Sequence, residues 1–212
     1  MAVVTITRQY GAGGSRVAQL VAQALGWTVI DNEFIEAVAS QAGLPAETVA
    51  AHEERAPSLM ERLVRTLATA SPEMFVPAGS TDEEPTEAQI VKVTARVIAE
   101  AAQHGRVVLV GRGAQAVLAS AGSDESLHVW VVAPRAARLA TLMKRLNLDE
   151  KAAATTMDDT EANRDRYVQR WHGRRRQDPA NYHLAVNTGF VGYEGAADLV
   201  VSAARQRGWG SA

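Results

Sequence analysis

A run of β-branched and apolar residues, Val3-Val4-Thr5-Ile6-Thr7, leads directly into Arg8-Gln9-Tyr10-Gly11-Ala12-Gly13-Gly14-Ser15-Arg16 and then into an Ala/Leu/Val stretch of helical spacing. That order admits few structures: a strand, a glycine-rich loop, and a helix opening at the strand's carboxyl end. Glycines lack a Cβ, so the backbone can curl tightly around an anion. The first N–H groups of the following helix then point their donors and positive dipole end at it. The segment reads as a phosphate-binding loop; the plainer alternative is a turn that joins strand to helix. Three glycines in four residues, Gly11, Gly13 and Gly14, exceed what a turn requires.

Nucleotide-loop patterns are met only in part. The P-loop pattern, glycine, four residues, then Gly-Lys-Ser/Thr, puts Arg8 at the first glycine, Gly13 at the second and Gly14 where lysine belongs. Ser15 falls where the magnesium-binding hydroxyl belongs. A dinucleotide fingerprint fails, because Arg16 stands where its third glycine should be. Phosphoryl transfer without the lysine needs another cation where charge develops, and Arg8 and Arg16 are the candidates. Arg8 leaves the strand just before the loop, so its side chain can fold back over phosphates, whereas Arg16 lies one residue inside the helix. Arg8 is the preferred of the two, and the bulk of its fork accounts for glycine at both 13 and 14.

The chain of 212 residues fits one α/β domain with an insertion better than two small domains. A formal net charge of −2 provides no global field toward nucleic acid or an anionic membrane. Without cysteine there are no disulfides, thiolate metal sites or cysteine nucleophiles. No apolar run approaches the roughly 18 residues of a membrane span. The expectation is a cytoplasmic protein with small-molecule partners, no nucleic acid and no membrane; nothing in the sequence speaks to oligomeric state.

Along the chain, Val17, Leu20, Val21, Ala24 and Leu25 mark one buried helix face closed by Gly26, and Trp27-Thr28-Val29-Ile30 is a second strand. Asp31 at its end caps the next helix, contacts substrate, or does both. Residues 36–70 read as helices and Ser71 to Pro85 as an exposed connection. A helix from Glu87 to His104 precedes the buried strand Val107–Val110, which ends in Gly111-Arg112-Gly113. An arginine between glycines at a strand's carboxyl end is placed to meet an anion, or is a surface arginine in a turn. His128–Val132 and His183–Thr188 are further strands, with helices from Arg135 and from Tyr193. Residues 149–178 are rich in charge. There Arg166 and Arg170 stand one helical turn apart, with Arg174 in step if the helix passes Gly173. That row is a solvated face or a lid that closes on phosphates. His183 reads as structural.

Five strands alternating with helices predict a parallel sheet covered on both faces. The opening Ile6-Thr7-Arg8-Gln9-Tyr10-Gly11-Ala12-Gly13-Gly14 resembles the cytidylate kinase-like family of P-loop nucleoside-monophosphate kinases. Asp31, Gly111-Arg112-Gly113, Arg164-Asp165-Arg166, Asp178-Pro179 and Leu184-Ala185-Val186-Asn187-Thr188 extend the resemblance over the whole chain. It implies a single-domain α/β three-layer sandwich with its core at about 1–35, 87–148 and 181–212, an NMP-binding helical insertion at about 36–86 and a lid at about 149–180. The implied activity is transfer from ATP, with Mg2+, to a nucleoside monophosphate. Gly11, Ala12, Gly13, Gly14, Ser15 and Arg16 would contact the donor, with Ser15 on the metal. Asp31 and Arg112 would meet the acceptor, and Arg164, Arg166 and Arg170, with Arg8, would neutralise charge between the two. Cytidylate kinases keep the loop lysine and follow the second-strand aspartate with Ser-Gly; Gly14 and Asn32 replace these here. The acceptor is therefore a CMP- or dCMP-like monophosphate or another small phosphorylated molecule. The competing reading is a nucleotide-binding sensor or partner module whose catalysis went with the lysine.

Overall fold

The strand that carries the glycine loop lies in the middle of the sheet. In the computed structural model, which describes residues 2–31, 34, 63, 87–122 and 125–210, the strands are β1 (Val3–Arg8), β2 (Thr28–Ile30), β3 (Val107–Val110), β4 (Ser126–Val132) and β5 (Leu184–Asn187). They form one five-stranded sheet in the order β2-β3-β1-β4-β5. Every adjacent pair is parallel, as expected from the alternation of apolar runs with helices.

Side chains alternate across this sheet with period two. Val4, Ile6, Val108, Val110, Val129 and Val131 pack with α1 (Gly14–Leu25) and α6 (Thr188–Gln206) on one face. Val3, Ile30, Val107 and Leu109 pack with α2 (Glu87–His104), α3 (Ala114–Ser120), Phe34 and Leu63 on the other. Each fully buried Val or Ile contributes about 1.5–3 kcal/mol, so this three-layer α/β sandwich is a firm platform for the loops at its carboxyl edge. Two more helices, α4 (Arg135–Leu146) and α5 (Glu150–His172), pack on each other through Leu142, Ala153 and Met157, with Tyr10 of the glycine loop against them.

Several boundaries differ from the sequence expectation for local reasons. Trp27 precedes β2, and its ring lies 6.2 Å from that of Trp209. The last helix starts at Thr188 rather than Tyr193, because the Asn187 side chain accepts the Gly189 N–H at 3.0 Å. Gly192 (φ 72°, ψ 179°) then breaks it just before Tyr193. Gly173 turns left-handed (φ 63°) and ends α5, so Arg174 is not in step with Arg166 and Arg170. The insertion expected at 36–86 lies outside the described residues apart from Leu63, which is fully buried. Among the described residues no helix is long and apolar enough to cross a membrane.

β4 begins two residues before the predicted run because its polar residues are satisfied inside the sheet. Thr5 Oγ1 lies 2.8 Å from His128 Nδ1, and Ser126 Oγ lies 3.2 Å from His128 Nε2. His183 stacks on His128 with centroids 4.9 Å apart, and its Nδ1 accepts the His128 backbone N–H at 3.0 Å. Burial, then the charges of His183 and Arg174, pull His128 down to about 4 from its ordinary 6.5. The unfolded chain therefore takes up the proton first, and stability falls as pH drops from about 6.5 to about 4. Urea unfolding of His128→Gln should lose less stability than wild type between about pH 7 and pH 5; parallel pH curves would place the acid sensitivity elsewhere.

Candidate active site

The strand order reverses at β1, whose successors lie on one side through β3 and on the other through β4. The crevice beyond its carboxyl end is where open α/β sheets hold ligands. Gln9, Tyr10 and the glycines cross this edge. A Cβ on Gly11 (φ 84°) would approach the Arg138 carbonyl to 2.8 Å. Arg138 is itself buried, donating Nε to the Ala133 carbonyl at 3.1 Å. The Ala12 side chain is buried in the core, and its carbonyl accepts the Thr188 hydroxyl at 2.8 Å. Gly13 (φ 77°) opens α1 with no side-chain cap, whereas Asp149 caps α5. The first N–H groups of α1 are thus directed at the crevice, as an anion site requires. Ser15 and Arg16 are both exposed, and Arg16 makes no hydrogen bond or ion pair among the described residues.

Arg8 reaches from the end of β1 to the loop after β3. A Cβ on Gly14 would lie 2.4 Å from the Arg8 Cβ, and one on Gly111 would lie 1.9 Å from Arg8 Nη1, so the side chain runs over the start of α1 and ends on the loop after β3. Gly14 makes room for Arg8. Gly13 does not: its missing Cβ leaves space for the Tyr193 ring, which would be 2.2 Å away, and this corrects the common cause assigned to both glycines. The loop after β3 is left-handed at Gly111 (φ 81°), Arg112 (φ 50°) and Gly113 (φ 69°). For Arg112 that conformation costs about 1–3 kcal/mol, a strain found at sites that must aim a side chain.

Arg8, Arg112, Arg164 and Arg176 line one cavity of about 270 Å3 with Tyr167 and Tyr182. Burial, then the like charge of Arg164, pulls the Arg8 guanidinium down to about 10; Asp31 opposes the shift, and Arg176 and Arg112 add to it. Burial also lowers Arg164, with Glu161 working against it. Buried cations that repel one another form a site primed for an anion.

The other candidates stand apart from this cavity. Arg166 bonds the Asn163 side chain, and Arg170 pairs with Glu87 at 3.2 Å. Both line an open cleft of about 940 Å3 next to it. Asp31 Oδ1 accepts the Phe34 N–H at 3.0 Å, so the capping role is present. Asp31 also lines a recess of about 220 Å3 with Ser15 and Gln19.

A family model described as the cytidylate kinase-like family matches residues 3–189. The chain belongs to that family. No curated protein matches it. Among solved structures, an uncharacterized protein from Eubacterium ventriosum aligns with a TM-score of 0.71 at 17% identity, over 98% of this chain and 100% of that one. Shikimate kinase from Bacteroides thetaiotaomicron aligns with a TM-score of 0.52 at 13% identity, over 96% and 98%. At such identities the likeness is one of fold, the five-stranded P-loop kinase sandwich. Membership in a cytidylate kinase-like family supports a phosphotransferase that handles nucleotides.

For this family member, sequence reasoning missed Arg176 in the cavity wall and Glu161, which holds it in place. Arg176 is buried and donates to Asp165 at 2.6 Å, Glu161 at 2.8 Å and the Arg8 carbonyl at 3.2 Å. Burial would lower its pKa, but the bonds and charges of Glu161 and Asp165 hold it above the ordinary value. Glu161 Oε1 also accepts the Tyr10 N–H at 2.6 Å. Neither residue carries a local signal: Arg176 is one basic residue in Arg174-Arg175-Arg176, and Glu161 is one acid on a charged helix.

Overpacking at Gly14 is directly testable. Gly14→Ala should lower unfolding free energy by about 1–3 kcal/mol in urea titrations. Arg8→Ala retains the clashing Cβ and should leave that cost in place, whereas Arg8→Gly should shrink it. An equal cost in both backgrounds would remove Arg8 as the neighbour responsible.

Proposed function

We propose that the protein transfers the terminal phosphoryl group of ATP to a nucleoside monophosphate, CMP- or dCMP-like, or to a related small phosphorylated acceptor. The observation that carries this reading is the convergence of Arg8, Arg112, Arg164 and Arg176 on one cavity beside the uncapped start of α1. In the proposed reaction an acceptor phosphate oxygen attacks the γ-phosphorus. The bond from that phosphorus to the β–γ bridging oxygen breaks, and ADP leaves with the electron pair. Such a reaction asks the protein for in-line placement, charge neutralisation and exclusion of water.

The backbone N–H groups of Gly13, Gly14 and Ser15 would hold donor phosphates, with Gly11 and Ala12 shaping the loop beneath them. Arg8, bridging that loop and the loop after β3, would take the place of the lysine. Arg112 would bind the acceptor phosphate, and Arg164, held by Glu161, would meet the charge that develops between donor and acceptor. Arg166 and Arg170 would act from the adjoining cleft, on the exposed side of the same helix. The Ser15 hydroxyl and the Asp31 carboxylate share one recess, a hard-oxygen pair that fits Mg2+, which takes few protein ligands beside phosphate and water. When bound, the ion neutralises donor phosphate charge.

One observation favours a second reading, a nucleotide-binding module without transfer: glycine occupies the lysine place, at Gly14. A panel of nucleoside monophosphates with MgATP, followed by ADP release, separates the two. With a competent acceptor, Arg8→Ala should abolish single-turnover transfer with the fold intact by circular dichroism, and Arg16→Ala should be near wild type. Arg112→Ala should raise the acceptor KM by roughly 10- to 100-fold, the loss of a charged hydrogen bond of about 1.5–3 kcal/mol, and leave that of ATP nearly unchanged. Equal effects on both substrates would reject the Arg112 assignment.

A further inference from the structure

Gln115 lies in α3, three residues beyond Arg112, and is 5% exposed. It lines the arginine cavity with Gly111, Arg112, Gly113 and Tyr167, and its buried Nε2 has no hydrogen-bond partner among the described residues. Native proteins leave few buried polar groups unpaired, and one that borders a cavity is satisfied when a ligand with the complementary group fills it. The surrounding wall supplies charge through guanidinium groups; the carboxamide supplies none. It carries both a donor and an acceptor and can present either by turning over. Its contribution to a bound molecule is therefore to select an uncharged group at a fixed distance from the anion beside it, and not to add to the hold on that anion.

We propose that Gln115 is a specificity-determining residue of the acceptor site. Its carboxamide hydrogen-bonds an uncharged carbonyl, ring nitrogen, amino or hydroxyl group on the body of a monophosphate whose phosphate lies against Arg112. This rests on the phosphoryl-transfer reading of the cavity. The chemistry is shared by a nucleobase edge and a sugar hydroxyl, which the choice of probes separates. An acceptor without the complementary group leaves the amide unpaired and is rejected, which is how a buried polar group discriminates between substrates of similar size.

The test is calorimetric titration of the full chain with inorganic phosphate, ribose 5-phosphate, CMP, UMP, AMP and GMP. At least one of the organic monophosphates should bind wild type at least tenfold more tightly than inorganic phosphate. Gln115→Met, which keeps the side-chain length and removes the amide, should erase about tenfold of that advantage, the usual worth of one buried hydrogen bond. Its affinity for inorganic phosphate should not change. Loss confined to nucleotides assigns the bond to the base, and an equal loss for ribose 5-phosphate assigns it to the sugar. Thermal unfolding without added ligand distinguishes a merely structural amide: Gln115→Met should be as stable as wild type or more so, since replacing an unpaired buried amide by an apolar group of like shape is neutral or favourable. Gln115→Leu serves the same comparison should the Met variant fail to fold. Undiminished monophosphate affinity in a folded variant overturns the inference, as does a destabilised variant with unaltered affinities. Wild type that binds inorganic phosphate but no monophosphate more tightly defeats the Gln115 assignment alone. Wild type that binds none of the probes defeats the phosphoryl-transfer reading beneath it.

Discussion

Glu161 joins two parts of the molecule that are about 150 residues apart in sequence, and its carboxylate decides how the arginines around it can coexist. One oxygen accepts the Tyr10 N–H of the glycine loop and the other accepts Arg176, with Arg164 3.6 Å away. Arg164 and Arg176 in turn donate to the Arg8 carbonyl at 3.3 Å and 3.2 Å, so α5 and the segment that follows it are both fastened to the end of β1. Guanidinium groups brought this close are stable only where carboxylates and backbone oxygens take up their donors. Glu161 also occupies the Tyr10 donor, so a phosphate entering the loop must use the N–H groups further along, at the start of α1.

That fastening alters the meaning of a lid in this chain. The stretch from Glu161 to Arg164 is tied to the loop it would cover, and the turn through Arg176 is tied back by Tyr182, whose hydroxyl donates to the Arg176 carbonyl at 2.6 Å. The exposed arginines, Arg166 and Arg170, lie on the outer side of the same helix. Charge arranged before substrate arrives needs no reorganisation during the reaction, the condition under which electrostatic stabilisation is most effective.

The parts of this architecture that local chemistry specifies were legible from sequence. Continuous β-branched runs such as Val107–Val110 can be little else than buried strands, and a glycine loop between strand and helix declares its own geometry. Arg112 was legible for the same reason, since its place is set by the strand before it. Arg8 was singled out because the lysine place is empty of charge, and its role there belongs to the proposed function. Glu161, Arg176 and Gln115 were not. Each is an ordinary polar residue on a helix or turn, and only the packing of distant segments gives it a partner or leaves it without one. The two adjacent glycines teach the same lesson at smaller scale: Gly14 answers to a residue six places earlier, Gly13 to Tyr193 at the far end of the chain.

The central place of β1 also has a cost in time. Its two neighbours in the sheet, residues 107–110 and 126–132, lie far along the chain from it. Until β3 and β4 have docked on its two edges, this apolar β-branched segment stays unpaired and its Val and Ile side chains stay uncovered. Pairings of such long sequence separation form slowly, because the intervening chain must be closed into a loop before any contact is gained. The folding chain is thus most open to aggregation while its central strand is unpaired, and its yield depends on how long that strand is kept from other chains.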